Sequence, residues 1–198
     1  MSRNNLIFLP NFASKFKYRE MGNQKFKIDS ALSNVGWAGK KVTGAHNGIV
    51  GIKEGELTLV NDQLIGGRIV VDLLSIKILD ITDPATNAQF AGHLASDDFF
   101  SSEKYPEAIL EITSVSRKRV EGTLTIKGIS HLIGFDADVH VNRDTLIAAG
   151  KMVIDRTKYG MKFRSGNLFK DLGDNLIYND FELNISLTAR AEDLAHTT

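Results

Sequence analysis

The chain has 198 residues, 24 basic against 24 acidic side chains, no Cys, 17 Gly, 3 Pro and 42% apolar content. That length is one ordinary domain with a single core; without Cys there is no disulfide and no thiolate metal site, and zero net charge argues against a nucleic-acid surface. Apolar content is too high for a disordered chain, and no run approaches the ~18–20 apolar residues of a membrane helix.

Residues 1–24 read as an N-terminal arm. Leu6-Ile7-Phe8-Leu9 is apolar, but Pro10 and Asn11 end the run, and Lys15, Lys17 and Arg19 follow. An export signal wants an apolar core of ~7–15 residues and a small-residue cleavage site. The expected compartment is therefore the cytoplasm, with the periplasm as the alternative if an export signal is missing from this chain or unrecognised in it.

Residues 25–191 read as one β domain, followed by a tail at 192–198, because from Lys25 the dominant period is two. Val35 and Trp37 mark a first strand, Val50 and Ile52 a second, with Asn47-Gly48 and Glu54-Gly55 as punctuation and a bulge as one reading of the Asn-Gly. Ile65, Gly67, Ile69, Val71 and Leu73 form the next row. Asp83-Pro84 then reads as an N-cap followed by Pro at the first helical position. Ala88, Ala91 and Leu94, with Phe90 beside them, give an apolar stripe, which predicts a short helix near residues 84–95 that ends before Asp97-Asp98. Four rows follow: Ala108 to Ile112, Val120 to Ile126, Ile133 to Val141 and Phe181 to Ala189. Asn61-Asp62, Arg117-Lys118 and Asn142-Arg143-Asp144 read as hairpin loops between rows. About eight or nine strands, several of about ten residues against an ordinary ~5–6, point to a closed barrel or a strongly coiled sheet. Thr157 to Asn175, with Gly160, Gly166 and Gly173, keeps no alternation but carries Tyr159, Phe163, Leu168 and Phe169, and is expected to fold as a flap.

The search for catalytic chemistry is negative: no phosphate loop, no G-x-S-x-G elbow and no H-E-x-x-H. The His residues at 46, 93, 131, 140 and 196 have no partner at an established metal-ligand spacing, so no metal, cofactor or catalytic residue is assigned. His93 reads as a polar residue on the exposed side of the helix. Asp97-Asp98 reads as one backbone cap and one solvated carboxylate. Gly67, Gly122, Ala137, Ala148 and Gly150 fall on inward faces. They leave room for a ligand, or they receive larger neighbours in ordinary close packing.

Several segments together resemble one family. Phe26-Lys27-Ile28-Asp29 and Ser33 to Trp37 resemble the first strands of the YceI-like family, bacterial lipocalin-like proteins that bind polyisoprenoids. Gly92-His93-Leu94, Ser96-Asp97-Asp98-Phe99-Phe100 and Lys104-Tyr105-Pro106 resemble its central signature, and Glu121 to Gly128 its next strand. Ile154-Asp155-Arg156 with Tyr159-Gly160 resembles its Asp-Arg…Phe-Gly element, Tyr replacing Phe. The resemblance covers about residues 25 to 190. It implies an all-β fold, an eight-stranded antiparallel lipocalin-like barrel extended by the helix, whose interior holds an isoprenoid or another long-chain amphiphile for non-catalytic binding, storage or transport. A lipid-modifying enzyme and a filled-core interaction module are the alternatives. Family members can form homodimers, and no decisive interface patch stands out here.

On that reading the apolar rows supply the ligand-binding residues: Trp37, Ile69, Val71, Leu110, Ile112, Leu124, Phe135, Val139, Phe181 and Leu183, joined by Tyr159 and Phe163 from the flap. Between Asp155 and Asp174 the bases Arg156, Lys158, Lys162, Arg164 and Lys170 outnumber Asp155, Asp171 and Asp174. Of these, Arg156, Lys162 and Arg164 are the headgroup candidates. The partner is then a lipid, with no nucleic acid and no integral membrane segment.

Overall fold

A strand that buries every second side chain needs one apolar interior, and a ring gives every strand two neighbours. The computed structural model describes residues 23–166 and 173–192, and it has that form. The run Leu6–Leu9 and the bases after it, Leu168 to Asp171 of the flap, and the tail with His196 lie outside the described residues.

Nine strands and one α-helix follow in order: β1 (Gln24–Ile28), β2 (Asn34–Lys41), β3 (Gly44–Val60), β4 (Gln63–Ile78), α1 (Pro84–Ala95), β5 (Glu107–Ser116), β6 (Arg119–Ile126), β7 (Ile129–Asn142), β8 (Thr145–Asp155) and β9 (Ile177–Ala191). Each strand from β2 to β9 pairs antiparallel with the next in the chain. β1 and β2 are two halves of one stave. β1 pairs with the far half of β3 (Gln24↔Leu59) and the end of β9 (Ile28↔Ala189). β2 pairs with the near half of β3 (Val35↔Val50) and the start of β9 (Trp37↔Leu183). The nine strands therefore make eight staves in a closed up-and-down barrel.

The break between the half-staves is a single turn at Ser30–Leu32, capped by the Asp29 carboxylate, which accepts from the Ala31 N–H at 3.1 Å. Ser33 restores the pairing. Its hydroxyl donates to the Thr188 carbonyl (3.2 Å) and accepts from the Thr188 N–H (3.0 Å).

The two ends of the barrel differ. At one end lie the three hairpins predicted from sequence. Asn61 and Asp62 both have positive φ (51° and 60°), the geometry of a turn whose twist matches the strands. At the other end lie α1, the turns of 96–106 and the β8–β9 connection. Asp83 caps α1, its carboxylate accepting from the Thr86 N–H (2.8 Å) and hydroxyl (2.6 Å), and Pro84 follows. The Asn87 amide donates to the carbonyls of Ile78 (3.2 Å) and Ile81 (2.9 Å), which ties α1 to the end of β4. The predicted stripe needs one correction: Ala88 is exposed, Phe90 and Ala91 are half-buried, and only Leu94 is fully buried. The helix covers a barrel mouth rather than a flat sheet, so only its last turn reaches the interior.

Two further expectations change. Glu54-Gly55 is no turn, because it lies with Asn47-Gly48 inside β3, which runs unbroken for 17 residues. Those glycines serve close approach: a Cβ on Gly48 would lie 1.9 Å from the Lys77 carbonyl oxygen and 2.6 Å from the Trp37 ring, and one on Gly55 would lie 2.6 Å from Ile28. Ile65 leaves its row. Thr58 pairs with Gly66 and Leu59 with Leu64, so Ile65 is the extra residue of a β-bulge and is 43% exposed, while Leu64 turns inward.

The contact at Gly48 generates a test. Gly48→Ala should destabilise the fold by about 1–3 kcal/mol, the usual cost of overpacking against atoms that cannot yield. Urea unfolding measures it, and a change under about 0.5 kcal/mol would show that β2, β3 and β4 separate freely there.

Candidate functional site: an apolar cavity and its mouth

Inward-facing side chains of the upper barrel enclose a cavity of about 90 Å³. Its lining is apolar throughout and comes from β2, β3, β4, β5, β6, β8 and β9, with Leu94 of α1 and Phe100 reaching in from the helical end. Above it a mouth chamber of about 380 Å³ is walled by Lys40, Lys41, His46, Phe90, His93, Phe99, Phe163 and Arg164, among others. Trp37, Leu94 and Phe181 line both spaces and form the neck between them. The Trp37 indole Nε1 is buried and finds no hydrogen-bond partner among the described residues. Below the cavity, a pocket of only about 20 Å³ lies among Phe135, Ala137, Val139, Ala148, Gly150 and their neighbours.

Most of the predicted lining falls on this axis. Trp37, Ile69, Val71, Leu110, Leu124, Phe181 and Leu183 line the inner cavity, and Ile112, Phe135 and Val139 line the lower pocket. Phe163 and Arg164 stand in the mouth, with the Arg164 guanidinium 5.0 Å from the Phe163 ring centroid. Further residues line the inner cavity beyond those expected, among them Met152, Ile154, Ile185 and Leu94. The signal for the first two was present, since Leu146, Ala148 and Gly150 continue with the same period into Met152 and Ile154. Two of the small inward residues of the lower half are closely approached: a Cβ on Gly150 would sit 3.1 Å from the Phe135 ring, and one on Gly122 would sit 2.2 Å from the backbone carbonyl oxygen of Glu111.

Tyr159, Arg156 and Lys162 stand elsewhere. Tyr159 is 2% exposed, packs edge-on to His131 (5.1 Å between ring centroids), and burial raises its pKa. Arg156, a headgroup candidate from sequence, is fully buried. Its Nε donates to the Tyr178 carbonyl (3.1 Å), one terminal nitrogen to Met161 (2.6 Å) and the other to Ile177 (3.1 Å). Burial lowers its pKa while Asp155 opposes that shift, and its Cζ lies 5.8 Å from the Phe99 ring centroid. The planar fork satisfies three carbonyls where the chain leaves β8 and enters β9, so its donors are committed to the fold rather than to a ligand. Asp155 caps the adjoining turn at Arg156–Tyr159, accepting from the Thr157 N–H (2.9 Å) and hydroxyl (2.6 Å), and Gly160 ends it at φ 75°. The Asp-Arg…Tyr-Gly element is thus a clasp that fixes the start of the flap. Lys162 is exposed and lines none of the spaces described.

His93 corrects its sequence reading. It is half-buried in the mouth, edge-on to Phe99 (5.1 Å) and Phe163 (4.6 Å), with Nε2 3.4 Å from Asp98. The Asp97 side chain accepts from the Ser101 hydroxyl, so the expected cap-and-solvent pair becomes two side-chain partnerships. Across the mouth, His46 Nδ1 lies 2.7 Å from Asp80 and its ring 4.7 Å from that of Phe90. Burial disfavours the Asp80 carboxylate, but hydrogen bonds from the Asn47 N–H and from His46 outweigh it and hold its pKa below the ordinary value. On the outer wall Glu182 accepts from Lys40 and lies 2.9 Å from Lys151, and these partners lower its pKa to about 2.

Arg156→Ala should cost about 3 kcal/mol, because buried carbonyls lose charged donors. Arg156→Lys should recover less than half, since one ammonium cannot reach three divergent oxygens. Urea unfolding of both variants checks this, and an alanine variant as stable as the parent would refute the clasp.

Comparison with known proteins places this architecture. Solved structures with the same fold include BcnA of Burkholderia cenocepacia, at TM-score 0.62 and 20% identity over 81% of this chain and 98% of that one. Another is a polyisoprenoid binding domain from Saccharophagus degradans, implicated in plant cell wall breakdown, at TM-score 0.62 and 14% identity over 84% and 98%. The UPF0312 protein SAB2563 of Staphylococcus aureus (strain bovine RF122 / ET3-1) is 36% identical over 78 residues, 36% of this chain and 46% of that protein, so the chain spans about half the length of the curated relatives it matches. The YceI-like domain matches residues 26–189, from the third residue of β1 almost to the end of β9, and the chain therefore belongs to the YceI-like family.

Proposed function

We propose that the barrel binds an isoprenoid lipid or a similar long amphiphile, tail inward, and stores or carries it without chemical turnover. The observation that carries this reading is the continuous apolar lining from the neck into the inner cavity, to which seven alternating rows contribute. Removing apolar surface from water yields about 25 cal/mol per Å², so a chain of several isoprene units binds without a single hydrogen bond to its tail. The polyisoprenoid binding described for the Saccharophagus domain supports the same chemistry.

Volume sets how the ligand enters. An engineered cavity of about 150 Å³ holds one benzene, so the inner cavity of about 90 Å³ takes no more than one isoprene unit as it stands. A longer tail fills the mouth chamber as well and spreads the neck at Trp37, Leu94 and Phe181. The two His–carboxylate pairs of the mouth are packed against phenyl rings, which suits holding a ligand better than proton transfer. The small inner volume is also what a filled-core interaction module would show, and that is the second reading.

Solvent extraction of the purified protein followed by mass spectrometry separates them. A stoichiometric isoprenoid is the expected result. An empty extract together with no uptake of apolar probes would leave the filled-core module, and a chemically altered lipid would indicate an enzyme. Arg164 is the headgroup residue on this reading. Wild type should prefer farnesyl phosphate over farnesol by about threefold, the scale of an exposed ion pair, and the preference should fall with salt. Arg164→Ala should lose the preference and keep the alcohol; equal effects on both ligands would remove Arg164 from the site.

A further inference from the structure

The inner cavity and the lower pocket lie in line and share two walls, Ile69 and Ile185. Ile185 pairs across the ladder with Gly150. Over Gly150 lies the ring of Phe135, so close that a Cβ there would be 3.1 Å from its Cε2. The ring lines the lower pocket and not the inner cavity, and it stands beside the ladder partner of Ile185, one of the two walls that the spaces share. It is 6% exposed and is the one aromatic side chain in the lining of the lower pocket, whose other members include the small residues Ala137, Ala148 and Gly150. Every wall of that pocket is apolar. The lower barrel continues the apolar interior, and among the aliphatic side chains that fill it, such as Leu57, Ile112 and Leu187, Phe135 is the one ring.

We infer that Phe135 is the floor of the chain-binding channel and sets the length of the tail that the barrel accepts. The inference rests on the proposed lipid-binding function and adds its specificity determinant. A tail entering from the mouth passes Trp37, runs between the rows of β4, β5 and β9, and stops against the Phe135 ring. Without that ring the space behind it joins the channel, and the gain goes only to chains long enough to reach it.

The test uses geraniol, farnesol and geranylgeraniol with the full chain and its Phe135→Ala variant. The expected result is a ratio of geranylgeraniol to geraniol affinity that rises at least about tenfold in the variant, the effect of roughly two further methylene groups buried. In Phe135→Ala/Ala148→Leu the added side chain refills the space, and the ratio should return toward wild type. Phe135→Leu keeps the core filled enough to fold and should shift the ratio in the same direction by less, so it decides the matter if the alanine variant does not fold. A ratio unchanged in folded Phe135 variants that still bind geraniol overturns the floor and leaves the lipid-binding reading standing. A wild-type protein that binds none of the three alcohols overturns that reading and the floor with it.

Discussion

An open sheet of this span would carry two edges, each a row of N–H and C=O groups without partners. Closure removes both, and it depends on how the first stave fits between β3 and β9. Neither β1, with five residues, nor β2, with eight, reaches the length of the neighbours they must satisfy. Laid end to end across the turn at Ser30–Leu32, they do, and Ser33 spans the gap with its own hydroxyl. The apolar interior, its two ends and its mouth all follow from that fit.

Closure also divides labour between the ends. Three tight hairpins with left-handed residues stand at one end. The long connections all fall at the other, where α1, the turns after it and the flap supply rings and cations to the mouth. The two anchors of this end are polar and internal to the fold: Asn87 on the carbonyls that end β4, and Arg156 on the carbonyls around the start of β9. The residues that face the cavity and its mouth are thereby mounted on fixed backbone, and in the apolar lining the Trp37 indole N–H is the buried side-chain polar group left without a partner among the described residues.

Much of this was legible because it is periodic or local. Alternation of Phe181 to Ala189 with polar neighbours is a half-buried strand whatever surrounds it, and Asp83-Pro84 starts a helix by capping chemistry alone. What could not be read depends on groups distant in the chain. Ile65 looks inward by count, but a bulge set by its pairing with β3 shifts the phase by one residue. Glu54-Gly55 resembles a turn, yet its glycine is there because Ile28 passes close by. Arg156 resembles a surface base until the carbonyls of β9 come round to meet it, and His93 resembles a solvated residue until Phe163 folds over it. The lining was legible as rows; its size was not, because volume depends on how Phe135 and Gly150 meet across strands.

The bond between Ser33 and Thr188 spans 155 positions, while every other stave pairs with its neighbour in sequence. Hairpins of that kind form early and at little entropic cost, whereas bringing together the ends of a long loop is slow. The closure of the first stave on β9 is the longest-range pairing of the barrel, and it needs β9, the last described strand. Without that closure the chain would be an open sheet with two unpaired margins and its apolar concave face in water. Such a sheet would be open to self-association, and an apolar molecule on its concave face would favour closure as well as fill the closed barrel.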